Sequence, residues 1–473
     1  MVALLFETTL PHGQILLFLG LAAGFYMAWS IGANDVANAM GTSVGSKGIT
    51  LKQAVVIAAV MEFAGAVLVG SHVSETVRKG IFDPVHIEAL PLVLAFISAL
   101  AASAVWLQIA TYFGWPVSTT HSIVASVLGV GLIMGGPDSI KWSSVGAIVA
   151  SWVTSPLCGG LISFILFKII QVFIIRNKHP VRQIYRFIPF IVAYVAFTLS
   201  LVMVWKGLKS LNLNLNLGSA LAVSAAVATT AGLLSLFWVA RLKINHEKER
   251  IDRKIELASD LEEGIPFVRK EHRSETAPVT ELRPALAPGS EIPSKRWEYR
   301  REFEFEKVES VFTGLMVVSA CFLAFAHGAN DVANAVGPLA AIISITRDGV
   351  VSLKAAVPVP ILALGAVGIV LGLATWGYKV IETIGRKITE LTPSRGFAAN
   401  LGAASTIVLA SRLGFPISTT HTLVGAVLGV GLARGFETLN LQMIRGIVIS
   451  WVVTIPAGAA LAIIFYYGLR IFF

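Results

Sequence analysis

Long apolar stretches separated by short polar segments run along most of the 473-residue chain. A helix needs about 20 apolar residues to cross a bilayer, and many stretches reach that length. Short segments of alternating polarity, typical of a transmembrane β-barrel, are absent. The pattern predicts an all-α polytopic membrane protein with about 10–12 transmembrane elements. The predicted spans or half-spans are residues 13–33, 52–71, 91–112, 116–134, 142–175, 187–205, 217–240, 311–331, 355–376, 397–411, 416–434 and 443–472.

Two polar motifs interrupt the apolar pattern, and each occurs twice. Gly-Ala-Asn-Asp-Val-Ala-Asn-Ala occupies residues 32–39 and recurs unchanged at 328–335. Gly-Trp-Pro-Val-Ser-Thr-Thr-His at 114–121 is matched by Gly-Phe-Pro-Ile-Ser-Thr-Thr-His at 414–421. Polar groups at membrane depth are costly, and paired motifs in two halves of a chain are typical of a transporter's binding site.

Weaker matches extend the repeat. Val-Leu-Gly-Val-Gly-Leu at 127–132 equals 427–432, and Ser-Trp-Val at 151–153 equals 450–452. We therefore divide the chain into a first transmembrane repeat (1–175), an inserted transmembrane hairpin (176–240), a polar loop (241–309) and a second repeat (310–473). Within the first repeat, the stretch 142–175 is long and contains Pro156, so we expect two segments or one broken, tilted helix.

Composition agrees with a membrane protein and argues against nucleic-acid binding. Apolar residues make up 55% and charged residues 14% of the chain, and the mean hydropathy is +0.76. The net charge is +9, but the polar loop holds 15 basic and 16 acidic residues, so the excess lies in short loops beside spans. Its Ile244–Glu262 part fits a charged helix, and the Pro- and Ser-containing remainder predicts a flexible linker. The two cysteines, Cys158 and Cys321, lie in apolar stretches and predict no disulfide framework.

Loop charges predict how the repeats are oriented. Basic residues cluster before and after the hairpin, and positive charge marks the cytoplasmic side. These residues are Arg176, Lys178, Arg182, Arg186, Arg241, Lys243, Lys248 and Arg250. The polar loop is then cytoplasmic, and the second repeat begins from inside. The first twelve residues carry Glu7 and no Lys or Arg, so the first repeat begins from outside. These opposite starting sides predict inverted repeats and alternating access.

The Asn-Asp motifs fit a cation site. Asparagines four residues apart share one face of a helix, with the aspartate beside the first. An ionised Asp35 or Asp331 at membrane depth needs a cation, and no Lys or Arg lies nearby in sequence, so Na⁺ or a proton would supply the charge. Gly32 and Gly328 would permit a helix break. For a single motif, a hydrogen-bonded seam between helices is the alternative.

The Ser-Thr-Thr-His motifs fit an anion site. Pro116 and Pro416 suit the first turn of a helix, which places the hydroxyls at its start. Free backbone N–H groups, the positive end of the helix dipole and clustered hydroxyls together bind phosphate or sulfate without a formal charge. The following apolar segments are short and rich in glycine, which favours a re-entrant or broken helix.

Four further residues leave alternatives open. His121 and His421 are candidates for proton coupling or hydrogen-bonded structural groups. Glu62, in the middle of a span, is either a coupling-ion ligand or a protonated, hydrogen-bonded side chain. Arg412 either attracts the anion or extends its charge to the membrane surface.

The paired motifs around a polar central segment resemble the inorganic phosphate transporter (PiT) family, over both repeats. The resemblance implies a cation-coupled phosphate carrier, driven by Na⁺ or H⁺, that forms a homodimer. It implies cation sites at Asp35, Asp331 and Glu62, which matches an acidic position typical of the family. Asn400 departs, because many relatives carry Glu there, and this leaves the coupling ion open. The implied phosphate-binding residues are Asn34, Asn38, Ser118, Thr119, Thr120, Asn330, Asn334, Ser418, Thr419 and Thr420.

The predicted function is import of inorganic phosphate across the cell membrane, coupled to Na⁺ or H⁺. No enzymatic activity, no cofactor and no nucleic-acid partner are expected, and Na⁺ is the expected coupling ion. Alternatives are a sulfate permease of the same fold and a passive anion channel. An intramembrane hydrolase using Ser, His and Asp is disfavoured, because the motifs are duplicated whereas a catalytic site needs one nucleophile.

Overall fold

A computed structural model of the chain describes residues 8–45, 48–70, 81, 87–204, 215–262, 293–349, 357–378, 380 and 392–473. This described part is helical and contains no β-strand. In chain order the helices are α1 Gly13–Asn34, α2 Val36–Gly45, α3 Leu51–Val69, α4 Ala89–Tyr112, α5 Thr119–Gly135, α6 Trp142–Ile169, α7 Pro180–Val204, α8 Leu217–Glu262, α9 Pro293–Asp348, α10 Val359–Trp376, α11 Pro393–Arg412, α12 Thr419–Arg434 and α13 Leu441–Leu469.

Nine helical segments of the described chain are long and apolar enough to span a bilayer. They are α1 together with α2, then α3, α4, α6, α7, α8, α9, α10 and α13. Helices α5 and α12, with 17 and 16 residues, are shorter than the about 20 residues of a full crossing. The predicted all-α membrane fold is confirmed.

Helix α6 passes through Pro156 without a break and continues into a π-helical turn at Ile170–Ile175. The stretch 142–175 is therefore one long helix rather than two segments.

Two helices extend well beyond a membrane crossing. Helix α8 has 46 residues and α9 has 56, which corresponds to about 69 and 84 Å of helix. The predicted charged helix over 244–262 is confirmed as the end of α8. The expectation of a linker up to residue 309 is wrong for its last part, since α9 begins at Pro293. Residues 263–292 lie outside the described residues.

Helices of one repeat pack against helices of the other, and these contacts occur in matched pairs. Helix α1 packs on α10 and α9 on α3; α6 packs on α12 and α13 on α5. Within each repeat, α1 packs on α4 as α9 packs on α11, and α4 packs on α5 as α11 packs on α12. This matching identifies α1, α3, α4, α5 and α6 as counterparts of α9, α10, α11, α12 and α13.

Glycines allow the exchanged helices to touch through their backbones. A Cβ on Gly328 would lie 2.3 Å from the carbonyl oxygen of Glu62, and one on Gly32 would lie 1.8 Å from that of Ile369. The expected helix break at these glycines is wrong. Gly328 lies inside the unbroken helix α9, and the small interruption in the first repeat falls at Asp35, between α1 and α2. The glycines serve close packing instead.

Candidate functional site

The Ser-Thr-Thr-His segments begin two helices in the interior of the protein. Ser118 is the N-cap of α5 and accepts a hydrogen bond from the backbone N–H of His121; Ser418 caps α12 through His421 in the same way. The helices start after the prolines, so the expectation that Pro116 and Pro416 form the first turn is wrong. Serine is a preferred N-cap, and here it lies two residues after each proline, so that the helix itself starts three residues after the proline.

The threonines that follow the two serine N-caps form hydrogen bonds with Asp35 and Asp331. Thr119 Oγ1 donates to Asp35 Oδ2 and Thr419 Oγ1 donates to Asp331 Oδ2, each at 2.7 Å. Thr420 Oγ1 also lies 2.6 Å from Asp35 Oδ1, which joins the second repeat to the first. Both aspartates are fully buried. The structure thus brings together the four motifs that lie far apart in the sequence.

His327 lies between two buried carboxylates. Its Nδ1 is 2.8 Å from Glu62 Oε2 and its Nε2 is 2.7 Å from Asp331 Oδ2, and all three side chains are buried. One buried imidazole therefore contacts an acid from each repeat. This residue was missed in the sequence because it precedes the repeated string. Ile31 occupies the matching place in the first copy, and this one-sided polar residue was the available signal.

Glu62 has an apolar counterpart in the three-dimensional structure. The Glu62 carbonyl faces Gly328 and the Ile369 carbonyl faces Gly32, so Ile369 takes the place of Glu62 in the second repeat. The pair Glu62–His327 is therefore matched by two isoleucines on the other side. The site has similar motifs from both repeats but an unequal distribution of ionisable groups.

The first asparagine of each motif braces the segment before a helix start. Asn34 Nδ2 donates to Thr111 Oγ1 and to the Trp115 carbonyl, and its Oδ1 accepts from Val117 N–H. Asn330 similarly donates to the Ile417 carbonyl. Both amide protons of Asn34 are used in these bonds.

Asn334 instead faces the hydroxyls of the first repeat. Its Nδ2 lies 3.2 Å from Thr119 Oγ1 and 3.1 Å from Thr120 Oγ1. Its Oδ1 is buried, and none of the described residues gives it a hydrogen bond. Asn38, the matching residue of the first motif, lies in α2, and its side chain is outside the described part of the structure.

Of the remaining candidates, Asn400, His121 and His421 are buried. Asn400 is buried and accepts a hydrogen bond from Thr42 Oγ1 at 2.7 Å. The rings of His121 and His421, which follow Thr120 and Thr420 in the sequence, contact each other. The side chain of Arg412 is outside the described part of the structure.

The arrangement offers ligands for a cation beside donors for an anion. Asp35, His327 and Asp331 place one ligand atom each within 4.8 Å of one another. With His327 protonated and Asp35, Glu62 and Asp331 ionised, these four side chains carry a net charge of about −2, which buried groups retain only with compensating cations. The helix starts supply hydroxyl and backbone donors.

Known proteins match the chain over almost its full length. Residues 31–462 match the family described as "Phosphate transporter family" (PHO4). The chloroplastic inorganic phosphate transporter 2-1 of Arabidopsis thaliana is 43% identical over 96% of this chain and 72% of its own length. A putative phosphate permease of Chlamydia trachomatis is 44% identical over 97% of this chain and 99% of its own length.

A solved structure described as "The sodium-dependent phosphate transporter" has the same fold. It is 38% identical, with a TM-score of 0.80, and the match covers 97% of this chain and 100% of that one. The proteins in these comparisons are transporters and permeases rather than enzymes. This chain is a multi-pass membrane protein that belongs to the phosphate transporter family.

Proposed function

We propose that the protein imports inorganic phosphate together with Na⁺ by alternating access between two inverted repeats. The observation that carries the proposal is the buried cluster of Asp35, His327 and Asp331 beside the threonines of both helix starts. The sodium-dependent structural relative supports the choice of ion.

Cations would bind at the two motif aspartates, with Glu62 as a third carboxylate. Carboxylate oxygens are hard ligands that suit Na⁺, and the cluster lacks up to two positive charges. A cation bound there would attract the anion in turn. Because each charge is costly alone in a low-dielectric interior, movement of both together couples the two fluxes.

Phosphate would bind to the hydroxyl and amide groups around the helix starts. We assign the donors to Thr119, Thr120, Thr419, Thr420 and Asn334, whose present hydrogen bonds would be exchanged for bonds to phosphate. Ser118 and Ser418 would contribute through the caps that hold these starts in place, and Asn34 and Asn330 through the segments that they brace. Asn38 keeps its predicted role as the counterpart of Asn334.

A proton is the alternative coupling ion. His327 contacts Glu62 and Asp331, so a proton taken up by this trio would replace one cation charge. The predicted proton role of His121 and His421 stays a prediction. In the described residues no carboxylate forms an ion pair with either ring, which favours His327 for this role.

The matched helix contacts support two related repeats, and the basic loops support their inversion and a cytoplasmic polar segment. On this basis we place the protein in the cell membrane, with the chain beginning its first repeat on the outer side. Assembly as a homodimer remains an expectation from the family resemblance.

Uptake of radiolabelled phosphate into proteoliposomes tests the proposal. We expect uptake with an imposed Na⁺ gradient and little with an H⁺ gradient alone. Uptake driven only by H⁺ would move the coupling role to Glu62 and His327. Uptake that persists without any cation gradient would indicate a passive channel, and stronger competition by sulfate than by unlabelled phosphate would indicate a sulfate permease.

A further inference from the structure

Four aromatic rings meet directly behind the helix starts that carry the threonines. The rings of His121 and His421 are 4.3 Å apart between centroids. His121 packs on Trp152 at 3.7 Å, and His421 stacks on Trp451 at 3.5 Å. The two tryptophans belong to the repeated Ser-Trp-Val sequence, to which the proposed function gives no role.

The four rings connect α5, α6, α12 and α13 across the boundary between the repeats. Each histidine packs on the tryptophan of its own repeat and faces the backbone of the other one. His421 Nδ1 lies 3.4 Å from the Trp152 carbonyl oxygen. Neither ring nitrogen of His121 forms a hydrogen bond to another residue in the described part of the chain. The contact is therefore tighter on the His421 side.

Hydroxyl groups next to the histidines cross the same boundary. Thr120 Oγ1 donates to the Ile417 carbonyl at 3.0 Å, and Thr420 Oγ1 lies 3.2 Å from the Val117 carbonyl and 2.6 Å from Asp35. Thr419, Thr420 and His421 are consecutive residues of the first turn of α12. A fixed His421 ring therefore fixes the position of both hydroxyls.

We infer that His421, and more weakly His121, are positioning residues that hold the phosphate-binding hydroxyls in place by stacking on Trp451 and Trp152. This inference rests on the proposed function. Neither histidine needs to touch phosphate or Na⁺. The stack holds the start of α12 against the other repeat, so that Thr420 reaches Asp35.

The test separates the ring from its nitrogen atoms in the full-length protein. His421→Leu removes the ring, whereas His421→Phe keeps a ring that can stack on Trp451. An aromatic contact of this kind corresponds to about a fivefold change in affinity. We expect His421→Leu to raise the KM for phosphate about fivefold while kcat stays near the wild-type value, and His421→Phe to restore KM to within about twofold. His121→Leu should act in the same direction and less strongly.

Phosphate uptake into proteoliposomes, measured at saturating Na⁺, gives KM and kcat separately. An unchanged KM in His421→Leu, a loss of kcat alone, or failure of His421→Phe to restore KM would overturn the inference. If His421→Leu does not fold, the pair Trp451→Leu and Trp451→Phe is read by the same criteria from the other side of the stack. Absence of phosphate uptake by the wild-type protein would instead refute the proposed function itself.

Discussion

The two Asn-Asp motifs have identical sequences, yet their carboxylates lie in different surroundings. Asp331 contacts His327, which in turn contacts Glu62. At the matching places on the Asp35 side stand Ile31 and Ile369, and Asp35 lies within hydrogen-bonding distance of the hydroxyls of both Thr119 and Thr420. Both carboxylates accept hydrogen bonds from threonine hydroxyls, and Asp331 is in addition held by the His327 imidazole. Duplication supplied two similar motifs, and the helices packed against them made the two motifs different.

Removing each aspartate charge tests this difference most strongly. Asp35→Asn and Asp331→Asn should both abolish Na⁺-driven phosphate uptake. Asp331→Asn should also destabilise the protein more, by about 1.5–3 kcal/mol, because the buried His327 loses one of its two charged hydrogen-bond partners. Uptake assays and thermal unfolding in detergent measure the two effects.

Asp348→Asn is the control for these variants. Asp348 lies at the end of the same helix as Asp331 and forms an exposed pair with Arg347, so uptake and stability should stay near wild type. Equal stability of Asp35→Asn and Asp331→Asn would remove the proposed difference between the two carboxylates.

Neutralising Glu62 tests the carboxylate that contacts His327 and whose counterpart in the second repeat is an isoleucine. Glu62→Gln keeps a polar side chain beside His327 but removes one negative charge. Because a hydrogen bond to a charged group contributes about 1.5–3 kcal/mol, we expect the Na⁺ concentration for half-maximal uptake to rise about ten- to a hundredfold. An unchanged Na⁺ dependence would show that Glu62 takes no part in cation binding. Ile369→Gln places the same side chain on the other side as a matched comparison.

The glycine contacts should respond equally in the two repeats, in contrast to the charged groups. A Cβ on Gly65 would lie 2.0 Å from the Phe325 carbonyl oxygen, and one on Gly372 would lie 1.8 Å from that of Trp29. Alanine at either position should destabilise the protein by about 1–3 kcal/mol in thermal unfolding. Gly146→Ala is the control, since no described atom of another helix or loop lies within 4 Å of a Cβ at that position. A large difference between the two contact glycines would contradict the matched packing.

The smallest expected effect is the difference between Thr120 and Thr420, whose hydroxyls both contact the opposite repeat. In Thr420→Val the carboxylate of Asp35 loses a hydroxyl at 2.6 Å, whereas in Thr120→Val a backbone carbonyl loses a donor. The charged partner makes the first loss larger by about 1 kcal/mol, or about fivefold in the Na⁺ concentration for half-maximal uptake. Equal values in both variants would show that the Thr420–Asp35 contact has no special role.

Much of this architecture could be predicted from the sequence, because apolar stretches and repeated strings are local signals. Except for α7, α8 and α9, the helices start and end within a few residues of the predicted spans, and the duplicated motifs meet in one site. The path of α6 through Pro156 and the reach of α9 beyond its apolar part could not be decided by local rules, since tertiary packing supports both.

The ionisable partners of the site depended on contacts between distant helices. His327 lies outside the repeated string. Glu62 is 265 residues away from His327, so the two side chains pair only because α3 packs on α9. Each has an isoleucine counterpart in the other repeat. Two one-sided polar residues of complementary chemistry were a usable hint. The role of Gly32 and Gly328 was mispredicted because a glycine permits either a bend or a close contact, and only the neighbouring helix decides between them.

Helix α9 connects the polar segment to the binding site without a break. It runs without interruption from Pro293, inside the polar segment, past Glu62 and the threonines to Asp348. From Pro293 to Asp331 each turn of α9 is joined to the next by backbone hydrogen bonds. The chain around Asp35 lacks this continuity, because it is interrupted between α1 and α2. The polar segment is therefore connected by continuous helix to the carboxylate that contacts the imidazole, whereas the other carboxylate lies at a helix break.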